Sequence, residues 1–384
     1  MKTTAVIAEY NPFHNGHRYQ LDTVRRTSDA VIVIMSGAFV QRGAAAVFDK
    51  WTRAEAAILN GADLVLELPT AYALSTAQRF ATGAVYSLEL TGVVDELCFG
   101  AETADAKLLE DTARILEEEP EDFTDPLKRG LSKGLSYPAA RSAALPPKMQ
   151  GLLSSPNNIL AVEYIRALIR LKSRIRPLPL LRKDAAHHDA IPSGNIASAT
   201  ALRTLIENGG DYAPYVPPSS FSLYKNAPVY DTSRLDTAII ARLRLISAHE
   251  LSRISDVAEG LENRLKAAAA ASNSIGELLD AVKTKRYPLS RLRRILLYTL
   301  LGIEGDISAS IPDYLRVLGM NDTGKRLLAE IKRSSPLPIV TKTADFTARS
   351  KKFLLDLKSS DLAALCCRPP ERAGLDFLRS PIIL

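Results

Sequence analysis

Short apolar runs alternate with amphipathic segments along the first hundred residues of the chain. The runs predict buried strands, at 4–9, 30–36, 63–68 and 96–100. The amphipathic segments predict helices, at 17–28, 50–60 and 76–90. Continuous apolar strands separated by single helices are typical of a parallel sheet covered on both faces. We therefore expect an α/β fold built on a Rossmann-like parallel sheet.

The pattern changes after residue 100. Residues 101–150 are charged, helical in pattern and interrupted by five prolines, which suggests an insertion or a lid. A long amphipathic helix is predicted over 154–175, a short strand over 177–182 and a helical unit over 198–210. Together with the first hundred residues, these elements make a predicted domain of residues 1–210.

A second predicted domain comprises residues 211–384 and is mainly helical. It begins with a proline-rich linker at 211–224. The second domain contains one strand-like piece, at 337–342. Its other segments predict helices, at 233–247, 251–271, 275–283, 288–302, 313–320, 323–333 and 350–365.

The composition is that of an ordinary globular protein. Of the 384 residues, 46% are hydrophobic and 24% are charged, and the length is sufficient for two domains with their own cores. No apolar run approaches the roughly 20 residues of a membrane-spanning helix, and "MKTTAVIAEY" lacks the pattern of a signal peptide. Three cysteines without a CxxC pair favour a reducing compartment. We expect a cytoplasmic protein without a membrane partner.

Positive charge is concentrated in the second part of the chain. Residues 1–100 carry a net charge of −2 and the rest a net charge of +8. Two stretches free of acidic residues, 164–183 and 283–294, hold many of the cations, and Tyr287 in the second could stack on a base. Such runs are also typical of solvated helix faces. The candidate RNA-contacting residues are Arg166, Arg170, Lys172, Lys285, Arg286, Arg291, Arg293 and Arg294.

The sequence "HNGH" (14–17) follows the first predicted strand and opens the first predicted helix. Free backbone N–H groups and the helix dipole favour phosphate at such a position. His14 and His17 can donate hydrogen bonds to phosphate oxygens, and Gly16 lets the backbone approach a ligand. The alternatives are a surface turn and a metal-binding pair, although no third ligand is close in sequence. Neither a Walker A sequence nor GxGxxG occurs.

"HNGH" behind a strand resembles the HxGH signature of nucleotidyltransferases that transfer adenylyl groups and of class I aminoacyl-tRNA synthetases. A wider set of motifs resembles the bacterial tRNA(Met) cytidine acetate ligase family. These motifs are "AEYNPFHNGH" (8–17), "MSGAFVQRG" (35–43), "DKWTRAEAA" (49–57), "GADLVLELP" (61–69), "FGAET" (99–103), "SYPAA" (136–140), "PNNILAVEYIRAL" (156–168), "IASATALR" (196–203) and "KRYPLSRLRRILLYTLLGI" (285–303).

The resemblance implies a HIGH-superfamily nucleotidyltransferase domain and an ATP-dependent ligase that forms a carbon–nitrogen bond. Such an enzyme activates acetate as acetyl-adenylate, releases pyrophosphate, and transfers the acetyl group to N4 of the wobble cytidine of elongator tRNA(Met). ATP is then a co-substrate, and Mg²⁺ is a candidate companion of ATP. No covalent nucleophile is implied, so catalysis would rest on positioning and charge stabilisation. No protein partner follows from the sequence.

The resemblance also carries over site residues. His14 and His17 would be catalytic, on the phosphates of ATP. The segment that would wrap ATP comprises Ile7, Ala8, Glu9, Tyr10, Asn11, Pro12, Phe13, His14, Asn15, Gly16, His17, Arg18, Tyr19 and Gln20. Further ATP-binding residues would be Gly100, Asn157, Arg182, Ser198, Thr200 and Arg203.

Some of these residues have simpler explanations. Gly100 could end a strand, Asn157 and Ser198 could cap helices, and Arg182 could be a solvated surface residue. In "QRG" and "DKW", Gln41, Arg42 and Lys50 could bind acetate or phosphate. Equally, they could form surface pairs with Asp49 or Glu55.

Two other functions fit part of the pattern. The first is a small-molecule adenylyltransferase acting on a phosphorylated cofactor precursor, which HxGH alone supports equally well. The second is a non-catalytic RNA-binding module that retains a nucleotide pocket. The basic, helical half of the chain disfavours the first alternative, and the intact His14, His17, Ser198 and Arg203 disfavour the second.

Overall fold

The computed structural model describes residues 1–182, 197–258, 260–284 and 286–384. Within them the strands are β1 (Thr3–Ala8), β2 (Ala30–Ser36), β3 (Phe39–Val40), β4 (Ala44–Ala45), β5 (Leu64–Leu68), β6 (Glu96–Ala101), β7 (Arg176–Leu181), β8 (Leu315–Met320), β9 (Ile339–Val340) and β10 (Ile382–Ile383).

The helices of the first half alternate with these strands. They are α1 (Asn15–Arg25), α2 (Lys50–Leu59), α3 (Thr70–Ala73), α4 (Ala77–Glu89), α5 (Ala106–Glu118), α6 (Glu121–Ser132), α7 (Tyr137–Ala143), α8 (Pro156–Leu171) and α9 (Ala199–Glu207). The second half is rich in helices. They are α10 (Pro218–Tyr224), α11 (Asp236–Leu245), α12 (Ala248–Ser252), α13 (Leu261–Ala271), α14 (Ile275–Val282), α15 (Leu289–Leu301), α16 (Asp322–Ser334), α17 (Lys351–Ala364) and α18 (Leu375–Leu378).

One sheet organises the molecule, in the strand order β10-β8-β5-β2-β1-β6-β7, with β9 also paired to β8. β5, β2, β1, β6 and β7 are parallel to one another. Alternate residues of β2 enter two separate cores. Ile32 and Ile34 pack into the core that contains residues of α4 and α8, whereas Val31 and Val33 pack into the core that contains residues of α1 and α2. The predicted α/β fold with a sheet covered on both faces is therefore confirmed.

The helix predicted over 313–320 is wrong, because these residues form β8. This strand pairs antiparallel with β5, and all its residues are buried. A continuous apolar run that is buried on both faces has no period that distinguishes a strand from a helix. Gly319 lets β8 lie close to α2, since a Cβ atom there would come within 2.6 Å of Ile58 Cδ1. The C-terminal region is thus mainly helical but contributes three strands to the sheet among the described residues.

Two further segments differ from the prediction. The helix predicted over 251–271 is divided between α12 and α13, and Gly260 begins the second of them with a φ of +82°. The predicted linker 211–224 contains α10, whose Tyr224 is buried and stacks on Phe48 at 4.3 Å. This segment therefore packs against the first region. The domain boundary at residue 210 remains a prediction.

In the insertion predicted at 101–150, most prolines stand where helices begin. Pro120 is the N-cap residue of α6, and Pro138 lies in the first turn of α7. Proline is favoured there because the first N–H groups of a helix have no partner within the helix. Pro126 is the exception, since α6 continues through it. α5 buries Leu109 within the core that it shares with α8.

A buried group of charged residues, which we call the ionic cluster, joins the C-terminal region to the sheet. It comprises Lys50, Glu67, Arg316, Asp356 and Asp376, each at most 5% exposed. Lys50 Nζ lies 2.9 Å from Glu67 Oε1 and 2.6 Å from Asp376 Oδ1. Arg316 contacts the same two carboxylates. Asp356 accepts a hydrogen bond from the Thr70 amide at 2.7 Å.

The remaining expectations concern cysteines and membranes. Cys98, Cys366 and Cys367 are all free and buried, and burial raises the pKa of the Cys98 thiol to about 11. They are therefore poorly reactive thiols rather than a disulfide framework. No helix within the described ranges has both the length and the apolar character needed to cross a membrane.

Candidate active site

A cavity of about 340 Å³ opens where the carboxyl ends of β1 and β6 meet the first turns of α1, α8 and α9. Ligands of open α/β sheets bind at this edge. Most residues predicted to bind ATP line this cavity. They are Ile7, Ala8, Glu9, Tyr10, Asn11, His14, His17, Gln20, Gly100, Asn157, Arg182, Ser198, Thr200 and Arg203.

The other six residues of the predicted segment do not line this cavity. Gly16 and Tyr19 line a smaller pocket beside it, which also contacts His14 and Arg182. Pro12 and Phe13 are buried beneath the loop. Asn15 Nδ2 donates to the Pro214 carbonyl at 3.0 Å, and Arg18 Nε donates to Asp22 at 2.7 Å. These six residues shape or support the loop.

His14 and His17 form a stacked pair, with ring centroids 3.8 Å apart. His14 is the N-cap residue of α1, and its Nδ1 accepts a hydrogen bond from Gly16 N at 3.1 Å. His17 Nδ1 accepts from His14 N at 3.2 Å. Each Nδ1 is thus an acceptor, so the single proton of a neutral imidazole is on Nε2. The geometry makes Nε2 the donor nitrogen of both rings.

Both imidazoles are neutral near pH 7. Burial, reinforced by the positive charges of Arg182 and Arg203, lowers the pKa of His14 to about 3. Burial also lowers the pKa of His17 well below its ordinary value. A neutral imidazole has no positive charge for a carboxylate of the chain to balance. At the start of a helix, it can therefore donate its N–H group to an anion. The simple surface turn considered from the sequence does not fit this geometry.

The loop that carries the histidines is held from several sides. Its backbone adopts a φ of +45° at Tyr10, a region that non-glycine residues rarely occupy. Val47 N donates to Asn11 Oδ1 at 2.8 Å, and Phe13 N donates to Tyr224 Oη at 3.1 Å. Arg203 donates to the Asn11 carbonyl at 2.9 Å. Tertiary contacts rather than local preference therefore hold this loop in place.

Arg53 is a residue of this site that the sequence prediction missed. It is fully buried in α2 and donates to the carbonyls of Glu9 (2.7 Å) and Ser36 (3.0 Å), and also to those of Phe48 and Gly37. Burial lowers its pKa to about 10, which leaves it charged near neutrality. Arg53 thus joins the ends of β1 and β2 below the cavity. An arginine within the apolar "WTRAEAAIL" was the available signal.

Asn157 does not cap α8, contrary to the alternative considered from the sequence. Ser155 is the N-cap residue, and Glu102 accepts hydrogen bonds from Asn157 N at 3.3 Å and Asn158 N at 2.8 Å. Asn157 Nδ2 donates to Glu102 at 2.7 Å. The side chain is therefore fixed by its nitrogen, and its Oδ1 accepts no hydrogen bond from a described residue. Asn157 presents an oriented amide oxygen at the cavity.

A group of cations faces the histidines. Arg203 and Arg42 donate to Thr200 Oγ1 at 3.0 and 3.2 Å. Arg182 lies across the end of β6, where Gly100 makes room, since a Cβ atom at Gly100 would be 3.2 Å from Arg182 Cγ. Arg42, Arg182 and Arg203 form no salt bridge with any described carboxylate. Uncompensated positive charge of this kind favours an anionic ligand.

The predicted roles of the neighbouring polar residues have mixed outcomes. Ser198 is the N-cap residue of α9 and accepts from Ala201 N at 3.1 Å, so the capping explanation holds, but it also lines the cavity. Gln41 and Arg42 line the cavity. Lys50 does not, because its ammonium group belongs to the ionic cluster. The hypothesis that Lys50 binds acetate or phosphate is therefore not supported.

Two candidates of the first basic stretch, Arg166 and Arg170, are neutralised by carboxylates from outside it. Arg166 contacts Glu117 at 3.2 Å and Glu163 at 2.9 Å, and its side chain is 12% exposed. Arg170 forms two hydrogen bonds of 2.7 Å with Glu117. Lys172, the exposed C-cap residue of α8, has neither of these contacts. The sequence prediction overlooked this pairing because Glu117 lies on α5, about fifty residues earlier.

The second basic stretch is partly buried. Arg294 is 7% exposed and lies 3.8 Å from Asp256; Arg291 donates to the Asp256 carbonyl at 2.7 Å. Tyr287 is 7% exposed, so the expected stacking of Tyr287 on an RNA base is not supported.

One exposed cation of this stretch, Arg293, lies near the cavity. Arg293 is exposed, and its Cβ atom would be 2.7 Å from a Cβ atom at Gly43, the residue after the cavity-lining Arg42. Arg286 is also exposed and lies 5.9 Å from the Tyr287 ring. Lys285 falls outside the described residues.

A metal-binding pair of histidines is not supported. Within the part of the chain that the structure describes, no group of three or more His, Cys, Asp or Glu residues is arranged to hold a metal ion. The two Nδ1 atoms are already hydrogen-bonded to backbone amides. This leaves Nε2 of each ring as its donor nitrogen.

Comparisons with known proteins show which family the chain belongs to. The family described as HIGH Nucleotidyl Transferase matches residues 1–374. Among curated proteins, the tRNA(Met) cytidine acetate ligase of Caldanaerobacter subterraneus is 41% identical, and that of Acetivibrio thermocellus is 37% identical. Both alignments cover the whole of each chain.

Solved structures extend the similarity to the fold. Thermotoga maritima TmcAL bound with alpha-thio ATP superimposes with a TM-score of 0.90 at 32% identity. The apo form of the same protein has a TM-score of 0.93 at 33% identity. Both cover all of this chain and all of theirs. The family predicted from the sequence motifs is therefore confirmed.

Proposed function

Because the chain belongs to the HIGH nucleotidyltransferase family and, with it, to the tRNA(Met) cytidine acetate ligases, we propose that it is an ATP-dependent acetate ligase acting on tRNA. A carboxylate oxygen of acetate attacks the α-phosphorus of ATP, pyrophosphate leaves, and acetyl-adenylate forms. N4 of the wobble cytidine of elongator tRNA(Met) then attacks the acetyl carbon, and AMP leaves. The product is N4-acetylcytidine, and we place the reaction in the cytoplasm with its RNA substrate.

The observation that carries this proposal is the combination of two neutral imidazole donors with three unpaired arginines around one cavity. His14 and His17 direct their Nε2 donors toward the triphosphate at the start of α1. Negative charge grows on the phosphate oxygens as acetate attacks. Fixed donors stabilise that charge without reorganising, and one such donor typically contributes about 3–4 kcal/mol.

The rest of the nucleotide is assigned by position. Gly100 lets adenosine approach the end of β6, and Asn157 Oδ1 accepts a hydrogen bond from it. The small pocket beside the cavity, which Leu180, Leu181 and Ala197 help to line, receives the adenine ring. Arg182 contacts both pockets and therefore lies over the α-phosphate or the adenylate.

The leaving pyrophosphate is assigned to the first turn of α9. Ser198 and Thr200 supply hydroxyl groups, and Arg203 and Arg42 supply positive charge. The α9 dipole has its positive end at the same place. Pyrophosphate carries several negative charges, so a site with two arginines and a helix start stabilises it better than water does.

Mg²⁺ would enter with ATP. The described residues offer no cluster of carboxylates for a resident ion, and Mg²⁺ commonly binds through the phosphates of its substrate. It would neutralise charge on the phosphates. The binding and orientation of the nucleotide are carried out by the residues of the cavity itself.

We assign the tRNA to the exposed cations beside the mouth of the cavity, Arg42 and Arg293, and to Arg286 further along the same basic stretch. Arg293 adjoins the Gly43 turn, and this turn leads directly from Arg42. RNA phosphates bound here would place an anticodon nucleotide at the opening. Arg166 and Arg170 are assigned instead to packing between α5 and α8, because carboxylates already neutralise them.

The test is pyrophosphate release from ATP with and without acetate, followed by total tRNA and mass spectrometry of its nucleosides. We expect release that depends on acetate and N4-acetylcytidine in the tRNA. Turnover that ignores acetate but responds to a phosphorylated cofactor precursor would replace this proposal with the small-molecule adenylyltransferase. RNA binding without any ATP turnover would replace it with the non-catalytic module.

A further inference from the structure

Glu9 stands out from its surroundings in the cavity. Among the described residues that line the cavity, it is the only one with a carboxylate, while Arg42, Arg182 and Arg203 supply cations. Its carboxylate forms no salt bridge with a described residue. It would repel the phosphates of ATP and the carboxylate of acetate. A partner of different chemistry, one that donates hydrogen bonds, is needed to explain it.

The carboxylate is held so that one oxygen is left for a ligand. Glu9 Oε1 accepts a hydrogen bond from Gln41 N at 2.8 Å. Arg53 holds the Glu9 carbonyl at 2.7 Å from below. Oε2 accepts no hydrogen bond from a described residue, and the side chain is half-buried at the cavity wall. Glu9 therefore presents an oriented and unused acceptor.

An aromatic wall stands next to this acceptor. Phe80, Phe99 and Tyr164 all line the cavity, and the rings of Phe99 and Tyr164 are 5.6 Å apart. Glu9 is close enough to Tyr164 to affect its electrostatics, as it does those of Arg203 and Arg53. Unstacked bases bind to aromatic surfaces of this kind. The wall can receive a planar base whose polar edge reaches Glu9.

We propose that Glu9 and the aromatic wall form the acceptor subsite, where the target cytosine is bound through its N4 amino group and gives up a proton to Glu9. The assignment rests on the proposed function. Cytosine presents an N4–H₂ donor, which carboxylates accept in base recognition. Uracil presents the O4 acceptor at the same position, and the carboxylate repels it. Glu9 thereby selects cytosine as well as activating it.

The transfer step balances with the groups already named. The N4 lone pair forms a bond to the acetyl carbon, and the bond from that carbon to the adenylate oxygen breaks, releasing AMP. N4 loses one of its two protons to Glu9 Oε2, and solvent then removes this proton from the carboxylic acid. No oxidant, reductant or further co-reactant is needed.

The test separates the two half-reactions in Glu9→Gln, which keeps a side-chain oxygen for Gln41 N but presents an NH₂ group to the base. Acetate-dependent exchange of labelled pyrophosphate into ATP measures adenylate formation. Acetyl transfer to tRNA(Met) in a single turnover measures the second step. Because Glu9 also lies in the predicted ATP-binding segment, the readout is the ratio of transfer to exchange, and we expect this ratio to fall about 100-fold, as for loss of a general base in the second step. Glu118→Gln, at an exposed carboxylate on α5, should change neither exchange nor transfer.

A further variant distinguishes proton transfer from packing. Glu9→Asp should recover part of the transfer rate. The charged and titratable groups around Glu9 are Arg53, Tyr164 and Arg203, and they are unchanged in both variants.

Three results would overturn the assignment. Exchange that falls as far as transfer would place Glu9 in adenylate formation, for example on Mg²⁺. Transfer at the parental rate in Glu9→Gln would leave Glu9 without a role in it. Absence of acetate-dependent exchange in the parent itself would overturn the proposed function and, with it, this subsite. The third result is distinguished from the first two because it is measured on the parent protein alone.

Discussion

The cavity and the ionic cluster lie at the same edge of the sheet and use the same types of residue, yet their charges are arranged differently. In the ionic cluster, Lys50 and Arg316 are surrounded by carboxylates of the chain itself. In the cavity, Arg182 and Arg203 meet neutral histidines and form no salt bridge with a described residue. The first arrangement is complete without a ligand, whereas the second lacks its counter-charge. Unpaired cations, rather than cations as such, therefore mark the site.

The comparison predicts that breaking the ionic cluster costs stability. Lys50→Met leaves Glu67 and Asp376 with less positive charge in a buried environment, and we expect the free energy of unfolding to fall by about 3–5 kcal/mol. Chemical denaturation measures this change. Lys107→Met, at a lysine whose side chain is 84% exposed, is the control and should change it by less than about 0.5 kcal/mol. Lost turnover at unchanged stability would instead give Lys50 a direct role at the ligand.

Changing the cavity should have the opposite effect. His14→Ala or His17→Ala removes a donor from the phosphates, so kcat for acetate-dependent pyrophosphate release should fall about 10²–10³-fold. Stability should fall by only about 1 kcal/mol, through the loss of hydrogen bonds that cap α1. Steady-state kinetics and circular dichroism measure the two quantities. His249→Ala, at an exposed histidine of α12, is the matched control, and equal losses in both variants would argue against the phosphate role.

The buried histidine of the cavity should also make the stability of the protein depend on pH. His14 is neutral when folded, with its pKa lowered to about 3 from an ordinary 6.5. Between these values the unfolded chain binds more protons, so stability rises with pH and is lost as pH falls below 6.5. The expected slope from this histidine is about 1.4 kcal/mol per pH unit. His14→Asn keeps an N-cap side chain and should show a shallower loss in urea titrations; an unchanged slope would contradict the buried neutral imidazole.

The smallest expected effect extends the comparison to the RNA surface. Arg293 is exposed near the cavity mouth, whereas Arg170 is already paired with Glu117. Arg293→Gln should weaken tRNA binding a few-fold and reduce the slope of log K against log salt by about 0.7–0.9. Arg170→Gln should leave the slope unchanged. Binding isotherms at several salt concentrations test this, and the reverse order would move the RNA surface to α8.

The sequence predicts well those parts of the fold whose pattern is local. "AVIVIMS" is a β-branched run buried on both faces, and the strand occupies 30–36 as expected. "HNGH" lies at the start of a helix for the same local reason. The sequence predicts a helix at β8 because an apolar run buried on both faces has no period of its own. The partner that makes it a strand, β5, lies some 250 residues earlier in the chain, so the pairing leaves no local signal.

The candidate site shows the same division. Histidines and glycines in a motif are visible in the sequence, and they line or shape the cavity as expected. Arg53 was missed because its partners are backbone carbonyls, which every residue has. The neutralisation of Arg166 was missed because Glu117 approaches from another helix. Charge in a sequence indicates which residues are ionised, but their counter-ions depend on the tertiary structure.

The ionic cluster has a consequence for how the molecule is made. Lys50 is synthesised early, and its partner Asp376 follows 326 residues later. During translation, Lys50 and Glu67 therefore have each other but neither Arg316 nor Asp376 until about 250 further residues have been added. Strands β8 and β10 are synthesised after all five parallel strands of the sheet. The parallel part of the sheet, which carries the cavity, is thus synthesised before the residues that complete the ionic cluster.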